Sequence, residues 1–583
     1  MTARERLAWA RDHGLLLFAV TLVSYLALAP PHLVGGDNAE FATLGAAGGG
    51  VAHPSGFPAY LLWMRLWSWL PGSTPAHVTA LSTVLLAVAQ VAVLHAAARA
   101  WGAKPLAAGL AVAIYAASPI ALRTYTTADV FAFNSLVVAL VLWLAAAEGP
   151  LRGARRVAAL GLVAGLGLSN NLTCVLVMPV GLWGAIRGLR ELDRGRLRAA
   201  ALGVGALVVG MTPYVYLFVA RGGPLTWGPI DDLGDLVRHF LRLEYGAMSL
   251  SSHGEPLPWT HQQVGLWGEL GAGWLWLPGA LGLGVLGARA ARGPARAGWA
   301  CLAASFVLAG PVLVHLFGLP LVGMGRYIVE RFYLLPAELL VVPVAVGLSW
   351  IGARVRAPST PSARVALALA PTIVFLAVGA RALVRVDHGH SPAMHRALVR
   401  LFERAPERAV IIATGDNFSF GQAYVQGVLG IGTSVDYLDS RSLASPRGER
   451  YAAALGISPW PRRGDPVRWF VGAALATGRP VMIGPDLVDS IDGWSSYPDG
   501  IMLRVVSPGA PVPAAAEVYA DNVAWYDGLD LDYRPPLRSG DWAMQTHWNY
   551  THIWYRLSVL LHEAGLDDEA AAADLRSRQL APR

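Results

Sequence analysis

Ala76-His-Val-Thr-Ala-Leu-Ser-Thr-Val-Leu-Leu-Ala-Val-Ala-Gln-Val-Ala-Val-Leu-His-Ala-Ala-Ala98 contains no aspartate, glutamate, lysine or arginine, and it ends against Arg99 and Lys104. Apolar stretches of about 17–25 residues match the ~30 Å hydrocarbon core of a bilayer, so the segment predicts a spanning helix. Comparable stretches lie near 14–30, 105–121, 130–147, 156–170, 171–187, 199–220, 265–288, 297–317, 333–353 and 365–384, which predicts about 11 spans. The first carries a small-x-small pattern at Ala27-Leu28-Ala29, but Pro30 obstructs cleavage there, so it reads as a retained helix. Residues 57–70 are apolar but short, and they hold Arg65 among Trp63, Trp67 and Trp69; they predict an interfacial or re-entrant helix. Over all 583 residues 54% are hydrophobic and 15% charged. Soluble domains carry about 25% charged residues, so a polytopic α-helical membrane protein is expected.

The net charge of +7 is decided by its distribution. With the N-terminus inside, the inner loops hold Arg4, Arg6 and Arg11, then Arg99 and Lys104, Arg152 to Arg156, Arg187 to Arg198, Arg289 to Arg296 and Arg354 to Arg364. The outer loops hold only Arg65, Arg123, Arg221, Arg238, Arg242, Arg326 and Arg331. The positive-inside bias therefore predicts a cytoplasmic N-terminus and places everything after Arg385 outside the cytoplasm. Read this way, the basic excess is a topology signal, and nucleic acid is not expected as a partner. Cys174 and Cys301 both sit in apolar runs, which excludes a disulfide framework.

Composition changes near 385, dividing the chain into a membrane domain (1–384) and an extracytoplasmic domain (385–583). Short β-like runs at 409–413, 433–438, 468–471, 480–484 and 501–506, with a helix near 418–428, predict a soluble α/β domain. Residues 554–579 read as two amphipathic helices joined near Gly565, a helical hairpin closing the domain.

Polar residues collect in the outer loops. Asp37 and Glu40 share one face of a helix beginning near Asp37, where a carboxylate is either a general base at the membrane boundary or a helix cap. Arg238, Arg242 and Tyr245 share a face of a second outer helix, with His239 beside Arg242; they suit an anionic lipid phosphate or a solvated interfacial face. Arg326, Glu330 and Arg331 form a third cluster. Asp387, His388, His390 and His395 read as solvated juxtamembrane residues, and no residue is assigned to a metal. His95, His315, Glu269 and Glu338 read as locally satisfied near helix ends. No nucleophile elbow, phosphate-binding Gly-Lys-Ser/Thr loop or dinucleotide loop is present. A secondary transporter or lipid-carrier flippase, and a non-catalytic envelope scaffold, remain as alternatives; a transporter places ionisable groups near mid-membrane.

Asp37-Asn-Ala-Glu40-Phe followed by His53-Pro-Ser-Gly-Phe-Pro58 resembles the first-loop signature of a large group of multi-pass bacterial proteins related to the eukaryotic transmembrane O-mannosyltransferase of plexin-type receptor domains. The resemblance continues through Thr127-Ala-Asp-Val-Phe, Gly165-Leu-Gly-Leu-Ser-Asn170, Pro213-Tyr-Val-Tyr-Leu, Thr226-Trp-Gly-Pro, His239-Phe-Leu-Arg-Leu-Glu-Tyr-Gly246 and Glu330-Arg-Phe, and into Ile412-Ala-Thr-Gly-Asp-Asn417 with Tyr424-Val-Gln426. It implies a GT-C type glycosyltransferase that takes a sugar from a polyprenyl-phosphate carrier and hands it to a protein or glycan acceptor, on the outer face of a bacterial plasma membrane. Asp37 would then deprotonate the acceptor hydroxyl, with Glu40 assisting. His53, Asp129, Asn170, Arg221, His239, Arg242, Glu244, Tyr245, Arg326, Glu330 and Arg331 are the expected substrate-binding positions, the arginines 221, 242, 326 and 331 for the carrier phosphate. Asp129 stands where the family commonly shows glutamate, Ser55 replaces a proline, and Ser169-Asn-Asn-Leu-Thr173 lacks a histidine often seen there. The donor's sugar and a divalent cation are left open by these departures.

Overall fold

The computed structural model describes residues 14–220, 223–243, 258–292, 295–317, 319–355, 360–507, 509–536 and 542–583. The chain folds as two compact units, one made of Met1–Pro31 with Gly48–Val386 and the other of His32–Ala47 with Asp387–Arg583. The compositional boundary at 384/385 falls inside a continuous helix, Pro361–Gly389. Residues 32–47, grouped with the membrane domain in the sequence reading, belong to the second unit.

The first unit is helical. Its helices start where proline supplies a preset φ and removes an amide that would have no partner, at Pro58, Pro75, Pro105 and Pro119. Thr74 also caps the Pro75–Ala100 helix by accepting from the His77 amide at 3.1 Å. Among the described residues five helices are long and apolar enough to cross a membrane: Pro75–Ala100, Leu172–Arg190, Arg196–Val219, Arg296–His315 and Pro361–Arg404. Three bent pairs raise the number to eight, and Leu15–Leu28 and Phe131–Ala145 are shorter apolar helices. The unit is thus that of a multi-pass membrane protein. Three expected spans are bent: 105–121 by 71° at Ser118-Pro119, 265–288 by 111° between Gly273 and Leu277, and 333–353 by 42° between Leu339 and Val341. At the second break the Trp276 ring lies over Gly271, where a Cβ would overlap it. Helices Gly153–Leu168 and Arg196–Gly210 pack backbone to backbone, because Gly161 and Gly165 leave no side chain between them and the chain at Gly203, Leu207 and Gly210.

The second unit is built on a five-stranded sheet: β1 Val410–Ala413, β2 Asp436–Asp439, β3 Val481–Ile483, β4 Ser496–Asp499 and β5 Met502–Val505, in the order β2-β1-β3-β5-β4. β1 is wholly buried and pairs in parallel with β2 (Ile412 opposite Leu438) and β3 (Ile412 opposite Ile483), while β3, β5 and β4 run antiparallel. The chain leaves β1 through helix Asp416–Gly427 to β2 on one side, then returns through helices Pro446–Leu455 and Pro466–Ala476 to β3 on the other. That reversal makes a topological switch point at the carboxyl end of β1. Residues 468–471, read as a strand, lie inside the Pro466–Ala476 helix. His388 and His390 are buried, not solvated, and the His390 carbonyl accepts from His32 Nε2 at 2.7 Å.

Candidate active site

The first loop turns at Gly36, whose φ of 65° is open to glycine at little cost, and enters helix Asp37–Ala47. Asp37 is half-buried and Glu40 is fully buried in its first turn, where carboxylates complement the helix dipole. Asn38 Oδ1 accepts from the Val34 amide at 2.9 Å. The turn is held from the C-terminal domain: the Gly36 amide donates to Asn417 Oδ1 at 2.8 Å, and Asn417 Nδ2 donates to the Trp542 carbonyl at 3.1 Å. The Trp542 side chain lies so close over Gly35 and Gly36 that a Cβ on either would overlap it.

In the first unit the second half of the motif is clamped by residues from 214 to 240. Gly56 sits at φ 88° with the His239 ring and Leu217 against its Cα. Buried His239 donates from Nε2 to the Ala52 carbonyl at 3.0 Å. The Trp227 amide donates to the Val51 carbonyl at 2.9 Å. His53 meets Phe57 edge-on at 4.9 Å between centroids, with Trp227 at 6.2 Å. Asn170, also buried, donates to the Val130 carbonyl at 3.1 Å. His239 and Asn170, both expected to bind substrate, thus each give a hydrogen bond to a backbone carbonyl. Arg242 follows the Leu233–Phe240 helix at φ 56°, and Arg238 pairs with Asp235 at 3.3 Å on the exposed side. Arg221, Glu244 and Tyr245 lie outside the described residues.

Among the described residues, an arginine–carboxylate network in the first unit joins five charged side chains. Glu330 receives Arg123 at 3.0 Å, Arg385 at 3.6 Å and a short contact from Arg326. Glu269 receives Arg385 at 2.8 Å and Arg326 at 3.1 Å. The Arg123 guanidinium also covers the Tyr327 ring at 4.5 Å. Three guanidiniums on two carboxylates leave one positive charge. Glu269, Arg326 and Glu330 line a cavity of about 570 Å³ together with Thr260, His261 and Tyr333. Arg331 lies 3.8 Å from Asp129, whose other oxygen accepts from the Phe131 amide at 3.1 Å.

Sequence reasoning found Arg326 and Glu330 of this network and missed the rest. Arg123, Glu269 and Arg385 come from three other helices, and no spacing rule joins them. Glu269 and Glu338 are not locally satisfied as expected: Glu338 is buried and accepts from Gln90 at 2.9 Å, a partner 248 residues away. Asn417 was legible only as part of the Gly-Asp-Asn run, with nothing to say that it reaches the first loop.

Residues 37–191 match the family described as the N-terminal domain of the protein O-mannosyl-transferase TMEM260. The chain is 32% identical over 246 residues to the mouse protein O-mannosyl-transferase TMEM260, covering 40% of this chain and 34% of that one. It is 25% identical over 256 residues to the protein O-mannosyl-transferase tmem260 of Dictyostelium discoideum, covering 40% and 31%. The chain thus spans about a third of the length of the curated relatives it matches. Among solved structures it resembles ArnT from Cupriavidus metallidurans, in the apo state with a TM-score of 0.55 at 16% identity and bound to undecaprenyl phosphate with 0.53 at 17%. Both alignments cover 86% of this chain and 99% of that one, so the fold is shared over most of its length.

Proposed function

We propose that this chain is an inverting membrane glycosyltransferase that moves a sugar, mannose on the strength of its relatives' names, from a polyprenyl phosphate to an acceptor hydroxyl on a protein or glycan. The observation that carries this reading is the arginine–carboxylate network, three guanidiniums on two carboxylates, whose Arg326 lines the 570 Å³ cavity beside Glu269 and Glu330. A leaving phosphate develops negative charge as the bond to the sugar lengthens, and fixed guanidiniums stabilise it without reorganising. The match beginning at Asp37 and the fold shared with ArnT support the same reading.

In the proposed reaction the Asp37 carboxylate takes the proton of the acceptor hydroxyl as its oxygen attacks the anomeric carbon. The bond from that carbon to the phosphate oxygen breaks, and the electron pair leaves with the polyprenyl phosphate. The distribution of arginines supports a cytoplasmic N-terminus, with the first loop and the sheet-containing unit on the opposite side of a bacterial plasma membrane.

Transport of a lipid carrier is the second reading, favoured by one observation, the buried Glu338–Gln90 pair within the helices. Asp37→Asn separates the two. Cells carrying it in place of the wild-type chain should insert the protein normally and lose sugar transfer to their acceptors by at least about 100-fold, the usual range for a lost general base. Unchanged glycosylation in those cells would sink the catalytic assignment and leave transport.

A further inference from the structure

In open α/β sheets the crevice beside the switch point is where ligands bind, because loops diverge there to opposite faces. In the second unit one wall of that crevice is Thr414-Gly415-Asp416-Asn417, directly after β1. The structure fills this wall with the chain's own first loop. Asn417 is 2% exposed and uses both ends of its amide: Oδ1 accepts from Gly36, and Nδ2 donates to the Trp542 carbonyl. Gly36 is the residue immediately before Asp37, so its hydrogen bond fixes the peptide from which helix Asp37–Ala47 departs. Thr43, further along that helix, reaches the Phe420 carbonyl at 3.5 Å on the Asp416–Gly427 helix.

We infer that Asn417 is a positioning residue for the reaction: it aims the Asp37 carboxylate by tying the first-loop turn to the switch point of the C-terminal sheet. The inference rests on the reading of Asp37 as general base. Its physical content is angular. Freeing the Gly36 amide lets the helix entry pivot, and a displacement of about 1 Å at a reacting group can cost on the order of 100-fold. The donor contacts elsewhere are left as they were, so the loss belongs in kcat.

The test uses the full-length protein in detergent, tritiated mannosyl phosphoryl polyprenol as donor, and solubilised membrane proteins of a deletion strain as the acceptor pool. Asn417→Ala is expected to lower kcat 10- to 100-fold with the donor KM within about twofold of wild type. Gly36→Ala, which strains the turn from the loop side and leaves Asn417 in place, should do the same, and it decides the matter if Asn417→Ala does not fold. Asn522→Ala is the control. Asn522 is equally buried and ties Gly500 to Pro498 within the same unit, remote in sequence from the first loop. It should lower the melting temperature and leave kcat unchanged below it. Hydrogen exchange over 33–47 should accelerate in Asn417→Ala and not in Asn522→Ala. Wild-type kcat in Asn417→Ala or, should that variant not fold, in Gly36→Ala, or an equal kcat loss in Asn522→Ala, would overturn the inference. Asp37→Asn in the same assay separates the two levels. If it is inactive while Asn417→Ala is normal, only the positioning role fails; if it is active, the reading beneath fails as well.

Discussion

Three arginines converge on Glu330, and its side chain is only 5% exposed, so its charge offsets theirs in a place water reaches poorly. Removing one partner of a buried pair leaves the other charge without compensation, which costs about 3 kcal/mol or more. Glu330→Gln should therefore lower the stability of the detergent-solubilised protein by about that amount in thermal or denaturant unfolding. Arg238→Ala, which breaks the exposed pair with Asp235, should change it by less than about 1 kcal/mol. At this scale the sequence showed which residues were unusual but not whom they meet. Glu330 and Arg326 stood out in one short run, whereas Arg123 was one outer arginine among several and Glu269 one acid near a helix end. Their meeting is a product of how four helices pack, and packing leaves no trace in local spacing.

Among the elements, hydropathy located the apolar segments because length and charge exclusion are strong constraints in lipid. It did not show where an apolar run bends: the breaks at Ser118-Pro119 and between Gly273 and Leu277 lie inside stretches that read as continuous. In the C-terminal unit, Arg468-Trp-Phe-Val471 has strand-like composition, yet Asp465 accepts from the Val467 amide at 2.7 Å and Pro466 opens a helix. The capping pair was the better signal, and β-propensity alone misled. The closing helices carry a pH dependence. His547 on Trp542–Glu563 is buried, donates from Nδ1 to the Leu580 carbonyl at 2.8 Å and pairs with the Tyr533 hydroxyl at 3.0 Å. Burial pulls its pKa down to about 4, against the opposing pull of the Leu580 carbonyl. Below its unfolded value near 6.5, the unfolded chain binds a proton that the folded one resists. The contribution is complete above about pH 6.5 and is lost as pH falls towards 4, roughly 3 kcal/mol in all. Unfolding of the full-length protein should show a smaller loss between pH 7 and pH 4 in His547→Gln than in wild type.

For the whole molecule, composition separated an apolar, helix-rich part from an ordinary polar one and set the membrane class. It could not show that residues 32–47 fold with the C-terminal sheet, because the partners that join them, Gly36 with Asn417, His32 with His390 and Thr43 with Phe420 among them, are far apart in sequence. The net charge of +7 likewise divides: the inner-loop arginines serve orientation, and Arg123, Arg326 and Arg385 outnumber by one the two carboxylates they pair with. The central claim is that this chain itself forms a glycosidic bond from a polyprenyl-phosphate donor. The most direct measurement supplies the purified wild-type protein with tritiated mannosyl phosphoryl polyprenol and solubilised acceptor proteins, and follows both label transfer and free polyprenyl phosphate. The account expects the two to rise together, one carrier released for each sugar transferred, and both to vanish in Asp37→Asn. Label that stays on the carrier with folded wild-type protein, or equal transfer by the Asp37→Asn protein, would contradict it.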